Sequence, residues 1–413
     1  MKFIADFHIH SKYSRATSRD MDVEHIAYWA KLKGIQLMGT GDFTFHLWLE
    51  ELKSKLVPLN NGLFTYKNVT FMLTSELSCI YSKNKKTYRI HMMIFAPDFK
   101  TVDKINATLS RYGNLASDGR PILGMDAKEI ARIVFDINKD CIIVPAHAWT
   151  PWFSIFGSMS GFDRIEDCFE ELTPNIYCIE TGLSSDPEMN WRLSKLDKIT
   201  LISNSDSHSP QKIGREANVF DCALDYFEIM DVLKKKDNKR FQYTVEFFPE
   251  EGKYHFDGHR LCEVRFSPQE SMANNNICPK CKKLLTIGVM NRVDKLADRP
   301  EGFRPENAIP FKRMIPLDEI IADAKGVGKA SKQIIQEYMS LVSKFSTEFE
   351  VLMNVKKEDL SKSTSPRIAE GIIRVREGKV KINPGYDGEY GTIKIFNEED
   401  QQEKKPQQLD LFK

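Results

Sequence analysis

The feature that most constrains this chain is the position of its histidines and carboxylates relative to its apolar runs. His8 and His10 follow the run that begins at Lys2, and Asp206 and His208 repeat the same spacing after the run 200–204. On a strand, residues two apart point to the same face. Further histidines and carboxylates lie beside other apolar runs. Together the candidate ligands are His8, His10, Asp42, Glu76, His91, His147, Asp206 and His208. Because α/β barrels place their chemistry at the C-terminal ends of strands, we expect these side chains to form one site.

This set of side chains has the composition of a metal centre. Imidazole nitrogens and carboxylate oxygens together suit zinc, manganese or iron, and magnesium is a further candidate. The set exceeds the needs of one tetrahedral ion, so we predict two or three divalent ions that share bridging carboxylates. We expect Asp206 to bridge the ions or to orient the nucleophile. The alternative for any one residue is a cap or a satisfied polar group, and for Asp42 it is a role in the turn 39–43.

Up to about residue 220, apolar runs alternate with amphipathic segments, which predicts a parallel α/β fold, either a barrel or an open sheet. The predicted strands are 2–7, 70–73, 91–95, 141–145, 177–180 and 200–204, and the predicted helices include 22–32 and 127–137. Farther along, we predict a charged helical connector over 221–248, an irregular segment over 248–304 and helices over 311–376. The polar tail 398–413 is expected to be disordered.

The composition, 41% hydrophobic and 28% charged, is that of an ordinary globular protein and rules out wholesale disorder. The formal net charge of +1 excludes a strongly basic chain, although balanced totals can hide local basic patches. We expect neither a membrane span nor a secretory signal, because apolar runs are short and Asp6 and His8 interrupt the first segment. The 8 cysteines then predict reduced thiols and a cytoplasmic protein.

A second cluster of potential metal ligands lies at 259–281. His259 and Cys262 are separated by a fifteen-residue spacer from Cys278 and Cys281. This spacing is typical of a zinc ribbon or knuckle, and it predicts one structural zinc ion in a segment too polar to fold on its own core. His255 competes with His259 as the fourth ligand, because both lie within reach of Cys262.

Two further features suit contact with DNA. The glycine-rich turn 325–329 joins two helical stretches, and a Gly-x-Gly turn lets the backbone approach a phosphate closely. A plain packing corner between helices is the alternative. The aromatic stretch 149–156 follows His147 and is placed to stack on a nucleotide turned out of the duplex, although core packing explains aromatic residues equally well. The residues that we expect to contact DNA are Lys325, Gly326, Gly328, Lys329 and Trp152.

The C-terminal tail contains a short apolar motif. The sequence QLDLF at 408–412 matches the QLxLF pentapeptide by which bacterial partners dock on the β sliding clamp. A polar tail with one apolar anchor suits folding upon binding. The predicted clamp-binding residues are Gln408, Leu409, Leu411 and Phe412.

These motifs together resemble those of the PHP (polymerase and histidinol phosphatase) superfamily. The matching segments are DFHIHSKYS from Asp6, TGDF from Thr40, SELS from Ser75, HMMIF from His91, PAHAWTPW from Pro145 and SDSH from Ser205. Within the superfamily, the order and the residues of these segments are similar to those of the endonuclease Q family of DNA-repair nucleases, and the resemblance extends over nearly the whole chain. One departure is Phe43, which stands where many PHP proteins have a histidine and cannot bind a metal. His46 is a nearby candidate to replace that histidine.

The resemblance implies a domain organisation and an activity. It implies a distorted seven-stranded β/α barrel with a trinuclear metal centre over 1–248 and a zinc-binding module over 249–304, which favours His259 as a ligand. It further implies a helical DNA-binding region, similar to a helix-hairpin-helix, over 305–397, before the tail 398–413. The implied reaction is incision of DNA on the 5′ side of a deaminated base (uracil, hypoxanthine or xanthine) or an abasic site, leaving 3′-hydroxyl and 5′-phosphate ends. Such an activity implies a nucleoid-associated protein.

Two other functions remain open from the sequence. One is a PHP-type phosphoesterase for small molecules, which would leave the zinc module, the turn at 325–329 and the tail motif without a role. The other is a catalytically inactive protein that binds DNA or the clamp, which the nearly complete set of metal ligands argues against.

Overall fold

The computed structural model describes residues 1–329 and 331–396. The strands are β1 Lys2–Asp6, β2 Leu37–Gly39, β3 Val57–Pro58, β4 Phe64–Tyr66, β5 Val69–Lys83, β6 Lys86–Ala96, β7 Ile122–Leu123, β8 Ile142–Pro145, β9 Cys178–Glu180, β10 Thr200–Ile202, β11 Ala217–Asp221, β12 Phe241–Glu246, β13 Asp257–His259, β14 Val264–Phe266, β15 Phe311–Arg313, β16 Lys381–Asn383 and β17 Thr392–Lys394. The helices are α1 Val23–Lys33, α2 His46–Lys55, α3 Phe99–Leu109, α4 Ala127–Ile137, α5 Ile165–Phe169, α6 Pro187–Trp191, α7 Tyr226–Lys235, α8 Pro268–Ala273, α9 Val289–Leu296, α10 Leu317–Lys325, α11 Lys332–Phe345, α12 Glu348–Met353, α13 Lys357–Ser361 and α14 Pro366–Arg376.

The largest sheet is mixed and runs in the order β15-β12-β11-β1-β2-β5-β4-β3, with β6 and β7 also paired to β5 and β8 paired to β6. Strand β9 pairs in parallel with β10, and the amide of Ala148, beyond β8, donates to the carbonyl of Glu180 in β9. A parallel bridge between Ile9 and Ser207 then connects the segment after β10 back to the segment after β1. Backbone hydrogen bonds can therefore be followed from β1 through β2, β5, β6, β8, β9 and β10 and back to β1.

The predicted parallel α/β pattern is confirmed only in part, because several strand pairs of the mixed sheet are antiparallel. β5 and β6 form a long antiparallel hairpin, and β6–β8, β1–β11 and β11–β12 are also antiparallel. The hairpin forms because Asn84 and Lys85 both adopt left-handed backbone angles, φ 51° and 64°, which suit a two-residue hairpin turn. Sequence periodicity does not reveal such a turn when lysine replaces the usual glycine.

The segment predicted as a helical connector is part helix and part strand. Helix α7 occupies its first half, and β12 occupies its second half and pairs with both β11 and β15. In β12, apolar residues alternate at Phe241, Tyr243 and Val245, a period of two that is typical of a strand. The predicted helix 127–137 matches α4, and Asp22 caps α1 by accepting a hydrogen bond from the His25 amide.

A buried ion pair connects the C-terminal helices α10–α14 to helix α1. Lys33 at the end of α1 lies 2.7 Å from Glu348 Oε2, and both side chains are about 5% exposed. Tyr338 Oη also donates to Glu348 Oε2, and the Leu317 amide donates to Glu348 Oε1. Because the carboxylate has several donors, its burial is compensated. Among the described residues, no helix is both long and apolar enough to cross a membrane.

Candidate metal centre and nucleic-acid surface

Six of the predicted metal ligands come together in two groups that share one carboxylate. The first group is His8, His10, Glu76 and Asp206, and the second is Glu76, His91 and His147. Within each group, the potential ligand atoms all lie within 4.8 Å of one another. We call these six residues the acid–histidine centre. They follow or lie within different strands of the backbone circuit, so the sheet brings distant parts of the sequence to one place.

Glu76 lies between the two groups and turns one oxygen toward each. Its Oε2 is 3.2 Å from His10 Nε2 and 3.5 Å from His8 Nε2. Its Oε1 is 2.9 Å from His91 Nδ1 and 3.1 Å from His147 Nε2. This is the arrangement expected of a carboxylate that bridges two cations.

The donor atoms of the first group fit a cation. His8 Nε2, His10 Nε2 and Asp206 Oδ1 are buried and face one another, with His10 Nε2 3.1 Å from Asp206 Oδ1, but among the described residues none of the three has a partner in hydrogen-bond geometry. Buried polar atoms without partners cost free energy, so a set of them facing one point indicates a bound group. Nitrogen and carboxylate oxygen are ligands that zinc and manganese accept. The residues therefore fit the divalent ions that the sequence predicts.

The local electrostatics also favour a cation. Burial alone would lower the pKa of His8, but the Glu180 and Glu76 carboxylates raise it well above its ordinary value. Burial would raise the pKa of Asp206, yet the neighbouring His8 and His10 lower it. For His91, burial dominates and lowers the pKa to about 4, which keeps the imidazole in the neutral form that binds metal.

Two predicted ligands, Asp42 and His208, lie beside the centre but outside both groups. Asp42 Oδ1 is 3.0 Å from His10 Nδ1, and its Oδ2 accepts from the Ser11 amide and from the Ser14 hydroxyl. This contact turns Nε2 of His10 toward the centre, as carboxylates commonly do for metal-binding histidines. The His208 ring lies 4.5 Å from the His10 ring, with Nδ1 2.9 Å from the Asp206 carbonyl. Their roles as ligands stay predictions.

Three residues of this region have left-handed backbone conformations that non-glycine residues rarely adopt. Asp42, His147 and Asp206 have φ of 48°, 29° and 46°. Such strain persists where surrounding contacts fix the backbone, and it is concentrated at functional sites. Arg215 supplies one such contact, because its guanidinium donates twice to the carbonyl of Ser205 beside Asp206.

Two further residues of this region, Glu180 and Arg120, are not among the predicted ligands. Glu180 is fully buried, its two oxygens each lie 3.0 Å from His8 Nδ1, and it accepts from the His147 amide. It ends an apolar strand, so the rule that found Glu76 applies to it as well. Arg120 donates from Nη1 to Glu76 Oε2 at 3.1 Å. It lies in a loop, and no pattern in the sequence marks it.

The second predicted ligand set is also brought together. His259, Cys262, Cys278 and Cys281 form a group of potential metal ligands, with His259 Nδ1 3.7 Å from Cys281 Sγ. We call these residues the Cys–His cluster. The β13–β14 hairpin carries His259 and Cys262. His255 is not in the group; its ring is buried and lines a different part of the molecule, so the geometry favours His259.

A cavity of about 1100 Å³ lies beside the centre, and both predicted DNA-contacting features line it. Trp152, 37% exposed, stands on one wall with its ring edge-on to Tyr254, while Trp149 and Phe156 are buried in the core. The turn 326–329 contributes to another wall. Thr150 connects the cavity to the centre, because it lines the cavity and its Oγ1 lies 3.1 Å from His147 Nδ1.

The turn 325–329 is exposed and follows a helix end. Gly326, with φ 65°, caps α10 in the left-handed conformation. Lys325 contacts Glu337, and Lys329, 61% exposed, contacts Glu319. An exposed turn suits a ligand better than it suits a packing corner, but contact with DNA stays a prediction.

Two remaining predictions have different outcomes. His46 is exposed at the start of α2 and belongs to neither ligand group, so among the described residues the geometry does not make it a substitute at the Phe43 position. The predicted clamp-binding residues Gln408, Leu409, Leu411 and Phe412 lie outside the described residues.

Comparisons with known proteins agree with this geometry. Residues 316–379 match the family model described as the MJ0043 C-terminal domain. The chain is 34% identical over 279 residues to the uncharacterized protein MJ0043 of Methanocaldococcus jannaschii, a match that covers 65% of this chain but only 32% of that protein.

Two solved structures resemble the chain over almost its entire length. The lesion-specific endonuclease PfuEndoQ of Pyrococcus furiosus superposes with a TM-score of 0.86 at 32% identity, covering 98% of this chain and 99% of that one. An endonuclease Q in complex with a 27-mer duplex substrate, with an abasic lesion at its active site, gives a TM-score of 0.85 at 32% identity, with full coverage of both chains. This likeness confirms the resemblance inferred from the motifs, and we conclude that the chain belongs to the endonuclease Q family of DNA-cleaving hydrolases.

Proposed function

We propose that this chain is a metal-dependent DNA repair endonuclease that nicks DNA on the 5′ side of deaminated bases (uracil, hypoxanthine or xanthine) or abasic sites. The products would carry 3′-hydroxyl and 5′-phosphate ends. The observation that carries the proposal is the full-length likeness to an endonuclease Q whose solved complex holds a duplex with an abasic lesion at the active site. The acid–histidine centre and the adjoining cavity support it independently.

The centre supports phosphodiester hydrolysis. Two or three divalent ions (zinc, manganese or magnesium) would be held by His8, His10, Glu76, His91, His147 and Asp206, with Asp42 and His208 as further ligands. When bound, such cations neutralise phosphate charge and lower the pKa of an attacking water. Glu76 is placed to join the two groups through its two oxygens, Glu180 fixes the ring of His8 through Nδ1, and Asp206 would orient the nucleophile.

The cavity supports recognition of a damaged nucleotide. A base must leave the stack before its edge can be inspected, and an exposed aromatic ring can then stack on it. Trp152 is such a ring, and the exposed turn with Gly326, Gly328 and Lys329 lines the same cavity. We assign Trp152 to the extruded nucleotide, and Lys325, Gly326, Gly328 and Lys329 to the DNA backbone.

We propose the corresponding division of the chain. Residues 1–248 would form a distorted seven-stranded β/α barrel of the PHP type, supported by the backbone circuit that returns to β1. Residues 249–304 would be a zinc-binding module, with one ion on the Cys–His cluster. Residues 305–397 would be the helical DNA-binding region.

We further propose that QLDLF at 408–412 docks on a bacterial β sliding clamp. This proposal rests on the sequence motif alone. Deleting residues 408–413 should abolish capture by immobilised clamp while nicking of free DNA persists.

One comparison tests the proposed function against its alternatives. Labelled duplexes with a single uracil, hypoxanthine or abasic site, an unmodified duplex and a phosphate monoester are each incubated with the protein, with divalent metal or with EDTA. We expect metal-dependent nicking of the damaged duplexes only, one bond 5′ of the lesion. Cleavage of the monoester alone would indicate a small-molecule phosphoesterase, and DNA binding without cleavage would indicate an inactive binding protein.

A further inference from the structure

Arg120 is a cation at the edge of the acid–histidine centre that the proposed metal chemistry does not use. Its Nη1 donates to Glu76 Oε2 at 3.1 Å, on the side where His8, His10 and Asp206 meet. The Arg120 side chain is 26% exposed, whereas the Glu76 side chain is fully buried. Part of the Arg120 side chain therefore reaches solvent beside the buried Glu76 carboxylate, and we call this edge the mouth of the centre.

The loop that carries Arg120 is fixed against the centre. A Cβ atom on Gly119 would collide with Asp42 Oδ2 and with Ser14 Oγ, so only glycine allows the backbone to lie this close. The Gly119 amide donates to the Tyr13 carbonyl at 3.1 Å. The Arg120 amide donates to Asp118 Oδ1 at 3.0 Å, which closes a tight turn. The position of Arg120 is thus set by the same residues that orient His10.

Most of the hydrogen-bonding capacity of this guanidinium is unused. Arginine carries five N–H donors in a planar fork that matches two oxygens of a phosphate. Within residues 1–329 and 331–396, Glu76 is the sole side-chain partner of this group, and it occupies Nη1 only. Nε and Nη2 remain available at the mouth.

Resting on the proposed function, we propose that Arg120 is a catalytic residue that binds the scissile phosphate, donating from Nε and Nη2 to its non-bridging oxygens. In the reaction, a water oxygen bonds to phosphorus and the P–O3′ bond breaks. O3′ leaves with the electron pair and takes up a proton, while the attacking water releases a proton. Arg120 keeps its protons throughout and stabilises the charge on the non-bridging oxygens, which preorganised donors do best in the transition state.

The test measures single-turnover nicking and DNA affinity separately, on a duplex with one abasic-site analogue. We expect Arg120→Ala to lower the nicking rate about 100-fold or more, with the Kd for DNA changed by no more than about 5-fold. Arg120→Lys should recover only a small part of the rate, because an ammonium cannot donate as a fork. Adding guanidinium chloride at millimolar concentration should raise the rate of Arg120→Ala about 10-fold or more, whereas equal potassium chloride should not.

Arg111→Ala is the matched control, since Arg111 is an exposed arginine after α3 in the same connection, and its rate should equal that of the wild type. The metal content and Tm of each variant are measured in parallel. The inference is overturned if Arg120→Ala nicks within about threefold of wild type. It is also overturned if the rate is lost together with the metals, or if lysine restores it fully and guanidinium does not. A wild-type protein that leaves damaged duplexes intact would instead refute the proposed function.

Discussion

The acid–histidine centre and the Cys–His cluster are both sets of potential metal ligands, but they are built differently. The centre draws its residues from positions 8 to 206, on separate strands, and most of its side chains are buried in the main fold. The cluster draws its residues from positions 259 to 281, beside a small core of Val264, Cys278 and Leu285. The strands of the main sheet hold the centre in place, whereas the cluster segment has so small a core of its own that we expect it to need a bound ion for its shape.

The largest effect is expected at the centre. Asp206→Asn should lower the nicking rate by about 10³-fold or more, because the amide cannot serve as an anionic ligand. DNA affinity and Tm should change little, since the strands position the centre without this side chain. Single-turnover nicking, fluorescence anisotropy and thermal melting measure the three quantities. Asp103→Asn, at an exposed ion pair with Lys53, is the control. Nicking at near wild-type speed would contradict the role of Asp206.

In the Cys–His cluster, by contrast, we expect loss of a ligand to lower local stability. Cys278→Ser should release zinc and lower the free energy of local opening over 257–286 by about 3 kcal/mol. Hydrogen exchange of that segment and zinc content are the measurements. Cys222→Ser is the control, because Cys222 lies outside the cluster and serine can keep its hydrogen bond to Ala223. Unchanged protection in Cys278→Ser would show that the small core suffices without the ion, and would erase the contrast with the centre.

The main sheet contains a buried carboxylate, Glu246, that should make the stability of the fold depend on pH. Burial raises the pKa of Glu246 to about 8, against an ordinary value of 4.5, and its carboxylate accepts from Thr181 next to Glu180. Between these values the folded chain keeps a proton that the unfolded chain has lost, so stability falls as pH rises from about 4.5 through about 8.

Glu246→Gln removes this titration. The variant should be about 2 kcal/mol more stable than wild type at pH 8, and the difference should shrink toward pH 5. Urea unfolding at a series of pH values measures it, with the exposed Glu301→Gln as control. A constant difference across the range would mean that Glu246 ionises normally.

Trp152 contacts Tyr254 on the wall of the cavity. Trp152→Ala should reduce nicking at uracil about 10-fold, since base–aromatic stacking is lost, but should barely affect an abasic site, which has no base to stack. The ratio of the two rates is the measurement. Tyr28→Ala removes an aromatic ring that is 51% exposed elsewhere and should leave the ratio unchanged. An equal loss on both substrates would assign Trp152 to general packing.

The sequence predicts the centre better than it predicts the sheet. Residues at strand ends, such as His8, His147 and Asp206, can be found because the same residue types recur beside several apolar runs, twice with a two-residue spacing. Glu180 obeys the same rule and could have been included. Arg120 could not, because its place depends on Gly119 lying against Asp42, a contact between segments distant in sequence. The antiparallel hairpin was not predicted because its turn at 84–85 lacks the glycine that usually marks such a turn.

The smallest effect is expected at the exposed turn 325–329. Unlike the residues of the acid–histidine centre, its lysines are not buried, although side chains from α10 and α11 contact them. If the turn holds a DNA phosphate, Lys329→Ala should weaken duplex binding about threefold and reduce the salt dependence of the affinity by about one counterion. The nicking rate at saturating protein should be unchanged, because Lys329 lies away from the acid–histidine centre. Lys379→Ala is the matched control, since Lys379 is similarly exposed and similarly paired with a glutamate but does not line the cavity. Equal salt slopes in both variants would make the turn a packing corner, and the cavity would then contact DNA from the Trp152 side alone.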